Sequence, residues 1–255
     1  MKMLLAILQT VAAVAAVGEL RIAAADQATV AVAANFLTPL EALQHAFESG
    51  GEHTLGLVAG STGQLYAQIT NGAPFDVLLS ADQETVAKLV TAGLGDGRTR
   101  FTYAVGALAL FTRDTEKFAP LTLDALRRQD FRWLAIANPA LAPYGLAAQQ
   151  SLQALGLWDA LQPRLVRGQS IAQTFALAET RNADLALVAL SQAMAYREPA
   201  AYVTVPDELH APLRQDAVLL KHGNANAAAH AFLAFLRGAA AAGTMAGFGY
   251  RPGAP

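Results

Sequence analysis

Four short stretches carry side chains and backbone groups that could hold an anion. "LVAGSTGQLYAQI" sets Gly60-Ser61-Thr62-Gly63 between a strand pattern and a helix pattern. "VAANFLTPL" does the same with Ala34-Asn35-Phe36, "ANPALAPYGLAAQQ" with Pro143-Tyr144-Gly145, and "RGQSIAQTF" with Gln169-Ser170-Ile171. Each turn offers the first N–H groups of a helix, which have no intrahelical acceptor. Each also presents the positive end of a helix dipole, worth about 0.3–1 kcal/mol against an anion. Taken singly, Asn35, Ser61, Thr62 and Ser170 read as ordinary helix N-caps. Taken together, the four turns suggest one small oxyanion held at carboxyl ends of strands.

None of the four turns contains lysine or arginine. A nucleotide-binding P-loop needs its lysine, so that chemistry is excluded at Gly60–Gly63. The donors available are Ser and Thr hydroxyls, the Asn35 amide and backbone N–H groups. Such a site suits a fully ionised oxyanion, which has only acceptor oxygens. A protonated anion would find no partner for its O–H. Hydrogen bonds to a charged group contribute about 1.5–3 kcal/mol each. Five of them, less the cost of closing, leave micromolar to nanomolar affinity, roughly −8 to −12 kcal/mol.

The elements that position these turns alternate. Strand patterns at 29–34, 55–59 and 75–79 interleave with helix patterns at 37–47, 64–70 and 83–92. A second series follows: strands at 133–137, 164–166 and 185–189, helices at 123–128, 145–155 and 171–181. Residues 217–220 return as a strand and 225–238 close as a helix. This rhythm predicts an α/β protein with mostly parallel sheets flanked by helices. With no Pro/Gly linker between the series, the long apolar run 104–112 and the segment 213–220 read as strands crossing between two lobes. Residues 26–106 plus 215–255 would form the first lobe and 107–214 the second. A ligand would lie in the cleft between them.

Composition narrows the function. The chain has 255 residues, 54% hydrophobic and 15% charged, with a net charge of −2. Such a balance carries no basic footprint for nucleic acid. Cysteine is absent, which removes disulfides, thiolate metal sites, cysteine nucleophiles and lipoprotein attachment. Lys2, an apolar run to Val17 and Ala23-Ala24-Ala25 make a secretory signal over residues 1–25, although Glu19 and Arg21 are unusual there. The five histidines have no metal-ligand spacing, and Ser61 lacks the G-x-S-x-G elbow of an α/β hydrolase. Asp76 and Asp82, in "FDVLLSAD", read as structural groups near the cleft wall, with Asp82 capping the helix that follows. A carboxylate facing a dianion would repel it.

"VAANFLTPLEAL", "GSTGQLYAQITNGAPFDVLLSADQETVAKLV", "FTYAVGALALF", "IANPALAPYGLAAQQSLQALGLWDAL" and the terminal "GFGY" resemble the periplasmic molybdate-binding proteins of bacterial ABC importers. The resemblance covers residues 28 to 250. It implies a two-lobed periplasmic binding fold of type II, closing on molybdate or tungstate without cationic ligands and without a cofactor. By position it implies Ala34, Asn35, Ser61, Thr62, Tyr144 and Ile171 as the molybdate-binding residues, the last two through backbone N–H. Asn35 is similar to the branch of the family with asparagine where other members have serine. It further implies a monomer exported to the periplasm, which hands its anion to a membrane permease driven by a cytoplasmic ATPase. It implies no catalysis. One position departs from the pattern: many members place a tyrosine hydroxyl on the anion where this chain has Ala189. The rival readings are a receptor for sulfate or an organic acid, and an α/β hydrolase or transferase. An organic acid would call for an arginine clamp.

Overall fold

The computed structural model describes residues 26–253; the expected signal segment 1–25 lies outside them. Two five-stranded sheets organise the chain. The first contains β1 (Gln27–Ala33), β2 (Thr54–Gly60), β3 (Val77–Leu79), β4 (Phe101–Gly106) and β10 (Leu213–Leu219), in the order β2-β1-β3-β10-β4. The second contains β5 (Leu108–Thr112), β6 (Leu134–Ala137), β7 (Leu165–Gly168), β8 (Leu185–Ala189) and β9 (Ala201–Thr204), in the order β7-β6-β8-β5-β9. The two orders are the same arrangement used twice.

In each sheet the pairings are parallel on one side and antiparallel on the other. β1 pairs with β2 and β3 in parallel, whereas β10 runs antiparallel to both β3 and β4. β6 pairs with β7 and β8 in parallel, whereas β5 runs antiparallel to β8 and β9. The parallel side is the one expected from the βα rhythm. The antiparallel pairings belong to the strands on which the chain changes sheets. The run 104–112 is two strands, one in each sheet, separated by the single residue Ala107.

Both faces of these strands are covered, so they read as near-continuous apolar runs. Val30 and Val32 pack with Val77 and Leu79 on one face of the first sheet, while Ala31 and Leu78 pack on the other. The first face is covered by α1 (Leu37–Ser49), α9 (Ala227–Leu236) and α10 (Ala239–Gly247). The second is covered by α2 (Thr62–Thr70) and α3 (Glu84–Thr91). In the second sheet Leu134 and Ile136 face α5 (Pro143–Ala154), while Ala135 faces α7 (Ile171–Glu179). Two shorter helices, α4 (Asp124–Arg128) and α6 (Trp158–Leu161), complete that half. A further one, α8 (Leu190–Ala195), follows β8 directly. No helix among the described residues is long and apolar enough to cross a membrane.

The halves touch. Gly63 N–H, in the first turn of α2, donates to Leu141 O at 2.9 Å just before α5. Ala33, Ala34 and Ala81 of the first half belong to the same apolar cluster as Ala142, Tyr144 and Ile171 of the second. These contacts describe a closed cleft.

Candidate functional site: a cleft of neutral donors

The six residues expected at the site converge. Ala34, Asn35, Ser61, Thr62, Tyr144 and Ile171 line one small cavity between the halves, together with Ala33, Ala81, Ala142 and Pro143. No charged side chain lines it. It lies at the carboxyl ends of β1, β2, β3, β6 and β7, where the chain turns toward a helix.

The first-half turns have distinct local causes. After β2, Ser61 caps α2: its Oγ accepts from Gln64 N–H, and Gln64 Oε1 accepts from Ser61 N–H at 3.0 Å. This capping box fixes the turn and leaves the Ser61 hydroxyl proton free to donate. Thr62 begins α2, and its Oγ1 accepts from Ala81 N–H at 3.2 Å. That bond ties the second turn to the end of β3 and again leaves the hydroxyl proton for another acceptor. After β1, the turn Ala34–Phe36 is a single 3-10 turn that runs straight into α1. Phe36 anchors it, packing edge-on against Tyr103 and Tyr250 with ring centroids 4.8 and 5.2 Å apart.

The second-half turns present backbone. Pro143 stands at the start of α5, where its missing N–H costs nothing. Tyr144 N–H is therefore the first amide donor of that helix. Gly145 follows because α5 lies directly on β6: a Cβ there would sit 2.3 Å from Ala137 O. Ile171 is the first residue of α7, with Ser170 capping the helix by accepting from Gln173 N–H. The Ile171 side chain is buried in the apolar cluster, so its type is set by packing.

Asn35 behaves differently from the expectation. Its side-chain amide does not serve the cavity. One Nδ2 proton goes to Gln215 Oε1 at 2.8 Å and the other to Tyr250 Oη at 3.0 Å. Both protons are spent inside the protein, which leaves the backbone N–H as Asn35's contribution to the cavity. Gln215 Oε1 also accepts from Tyr103 Oη at 3.0 Å, and Gln215 Nε2 donates to Tyr144 Oη at 3.2 Å. Behind the cavity there is thus a second layer, polar and neutral. Burial pushes the phenols of Tyr103, Tyr144 and Tyr250 above their ordinary value, so all three remain protonated donors near neutral pH.

Gln215, Tyr103, Tyr250, Ser191 and Gln192 are the members of this layer that sequence reasoning missed. Gln192 Nε2 donates to Ile171 O at 3.4 Å, and its Oε1 accepts from Ala189 N–H at 3.3 Å. Gln192 of α8 thus supports Ile171, a residue that lines the cavity.

The two noted carboxylates separate. Asp82 sits at the cleft rim and accepts from Thr85 N–H at 2.8 Å, the capping role expected of it. Burial raises its pKa, opposed by the Thr85 hydrogen bonds. Asp76 is structural, but it lies at the amino end of β3, away from the cleft. There it accepts from Thr29 N–H at 2.7 Å and meets His222 Nδ1 at 2.8 Å. No group of three or more His, Asp or Glu residues that could hold a metal ion occurs among the described residues.

A closed cleft between two sheets of the same topology, lined by helix N-termini, defines a two-lobed solute-binding protein. The chain belongs to the bacterial extracellular solute-binding protein family, whose model matches residues 28–251. It is 42% identical over 231 residues to the molybdate-binding protein ModA of Rhodobacter capsulatus, covering 89% of each chain. It is also 42% identical to the Azotobacter vinelandii protein of the same name, covering 89% of this chain and 91% of that one. Its structure superposes on the Azotobacter vinelandii periplasmic molybdate-binding protein with a TM-score of 0.83 and 36% identity, over 88% of this chain and 98% of that one.

Proposed function

We propose that this protein is a periplasmic receptor that captures molybdate, and tungstate with it, for import by an ABC transporter. The observation that carries this reading is the cavity itself: helix N-termini from both halves and two hydroxyls from the first, with no charged side chain. The named relatives support the choice of anion. In this reading the Ser61 and Thr62 hydroxyls and the backbone N–H groups of Asn35, Thr62, Tyr144 and Ile171 bind the oxyanion. Ala34 shapes the wall.

The mechanism is binding and closure, with no bond made or broken. Donors from β2–α2 and the first 3-10 turn are brought against donors from α5 and α7 only when the cleft shuts. The anion therefore favours the closed form by its differential affinity. The closed receptor, a monomer, would dock on the permease, whose cytoplasmic ATPase drives release into the channel.

Thermal unfolding of the purified chain lacking residues 1–25 tests this. Molybdate at 100 times its dissociation constant stabilises by about 2.7 kcal/mol, a rise of roughly 5–10 °C in Tm. Sulfate at the same concentration should give no rise. An equal response to both anions would overturn the selectivity, and no response to molybdate or tungstate would overturn the ligand.

A further inference from the structure

The polar layer behind the cavity does more than fill space, because several of its bonds join the two halves. The Asn35 carbonyl, in the first half, accepts from Tyr250 Oη at 2.9 Å and from Ser191 Oγ at 2.9 Å. Ser191 belongs to α8 in the second half. The two hydroxyl oxygens are 3.1 Å apart. Gln215, on β10 of the first sheet, donates to Tyr144 Oη of α5 in the second half. Every one of these groups is buried: Asn35 at 2% exposure, Ser191 at 3%, Tyr144 at 2% and Gln215 at 0%.

The layer also sits on the line where the chain changes sheets. Gly106 ends β4, one residue before the crossing, and faces Leu213 of β10. A Cβ on Gly106 would fall 2.0 Å from Tyr144 Oη and 2.7 Å from Gln215 Nε2. The glycine lets a hydroxyl from the second half rest on the crossing strand of the first. On the other side, Leu190 N–H, at the start of α8, donates to the carbonyl of the crossing residue Ala107 at 2.9 Å.

We propose that Ser191 forms a hinge latch, a positioning residue that holds the halves together through the Asn35 carbonyl, which Tyr250 orients from within the first half. Neither residue lines the anion cavity. They act through Asn35, whose side chain the Tyr250 hydroxyl also engages, and so fix the turn that carries one of the cavity's N–H donors. Separation of the halves breaks the Ser191 hydrogen bond and leaves Tyr250 bonded to Asn35 within its own half. The latch therefore favours the closed form, with or without an anion. Tyr103 is the internal control. Its hydroxyl reaches Gln215 Oε1 and Ser80 O, all in the first half, so its loss costs a buried hydrogen bond without loosening the halves.

The latch stands independently of which anion binds, but its release-rate arm rests on the molybdate reading above. The test uses Ser191→Ala and Tyr103→Phe in the chain from residue 26. The chain has no cysteine, so Thr70→Cys and Asp159→Cys on exposed helix positions of the two halves accept spin labels uniquely. In the labelled, ligand-free protein, Ser191→Ala should move the inter-label distances to longer values, and Tyr103→Phe should not. With molybdate, Ser191→Ala should speed release by about tenfold and leave association nearly unchanged, as a lost closed-state bond acts on the off-rate. Distances in Ser191→Ala that match the parent's, or shift equally in Tyr103→Phe, would overturn the latch. If the parent shows no molybdate signal at all, the ligand assignment fails and the distances alone decide the latch.

Discussion

The two halves of the cavity hold an anion by different means. The first half brings side chains: the Ser61 and Thr62 hydroxyls, each with its oxygen tied to a backbone N–H and its proton free. The second half brings only backbone. There the side chains of Tyr144 and Ile171 turn away, one into the polar layer and one into the apolar cluster. The difference teaches that residue type at a binding position reports on the ligand only where the side chain does the binding. In the second half it reports on what lies behind the site.

The largest effect that would break this comparison comes from the second half's backbone. Gly145→Ala forces a Cβ against the carbonyl of Ala137 and lifts the start of α5 away from β6. Calorimetry should find molybdate affinity reduced by more than about a hundredfold, since an N–H displaced by an ångström no longer reaches its acceptor. Next comes Ser61→Ala. It removes one donor and one helix cap, so binding should weaken by about 1–3 kcal/mol and stability should fall by about 1 kcal/mol. Ile171→Val sharpens the contrast from the other side. A smaller apolar side chain should cost about 0.5–1.5 kcal/mol of stability in denaturant unfolding and leave affinity unchanged, because only its N–H is used.

The smallest effect concerns Asp82 at the rim. Its folded pKa is raised, so the folded protein holds this proton more tightly than the unfolded chain does. Stability then declines as pH rises through the window just above 3.8, and the loss persists at neutral pH. Asp82→Asn keeps an oxygen for Thr85 N–H and should flatten that part of the Tm-against-pH curve. A Tm that falls more steeply with pH in the variant would contradict the assignment.

The same distinction explains what could be read from the chain. The four turns were legible because each is a strand-to-helix junction, a local pattern of a few residues; the choice of Ala34, Asn35, Ser61, Thr62, Tyr144 and Ile171 within them came from the family resemblance. That Asn35 spends its amide inside the protein was not legible, since its partners are 180 and 215 residues away in sequence. Ser191 and Gln192 were hidden for a further reason: α8 is only six residues long and shows no apolar period. Among the elements, β9 escaped because it is a four-residue edge strand with two exposed positions. The helix α10 was passed over as an alanine-rich stretch, because a segment of small residues on every face has no pattern to read. The run 104–112 looked like one crossing strand because both β4 and β5 are buried, and nothing in their residues marks the change of sheet except Gly106.

The central claim is that uncharged donors from both halves enclose the anion. A crystal structure of the protein grown with molybdate tests it most directly, because the metal's anomalous scattering locates the ion without reference to the protein. The account predicts molybdenum inside the cavity between Ser61, Thr62, Tyr144 and Ile171, its oxygens within hydrogen-bond distance of hydroxyls and backbone N–H groups. An ion lodged elsewhere, or one touched by a lysine or arginine side chain, would contradict it.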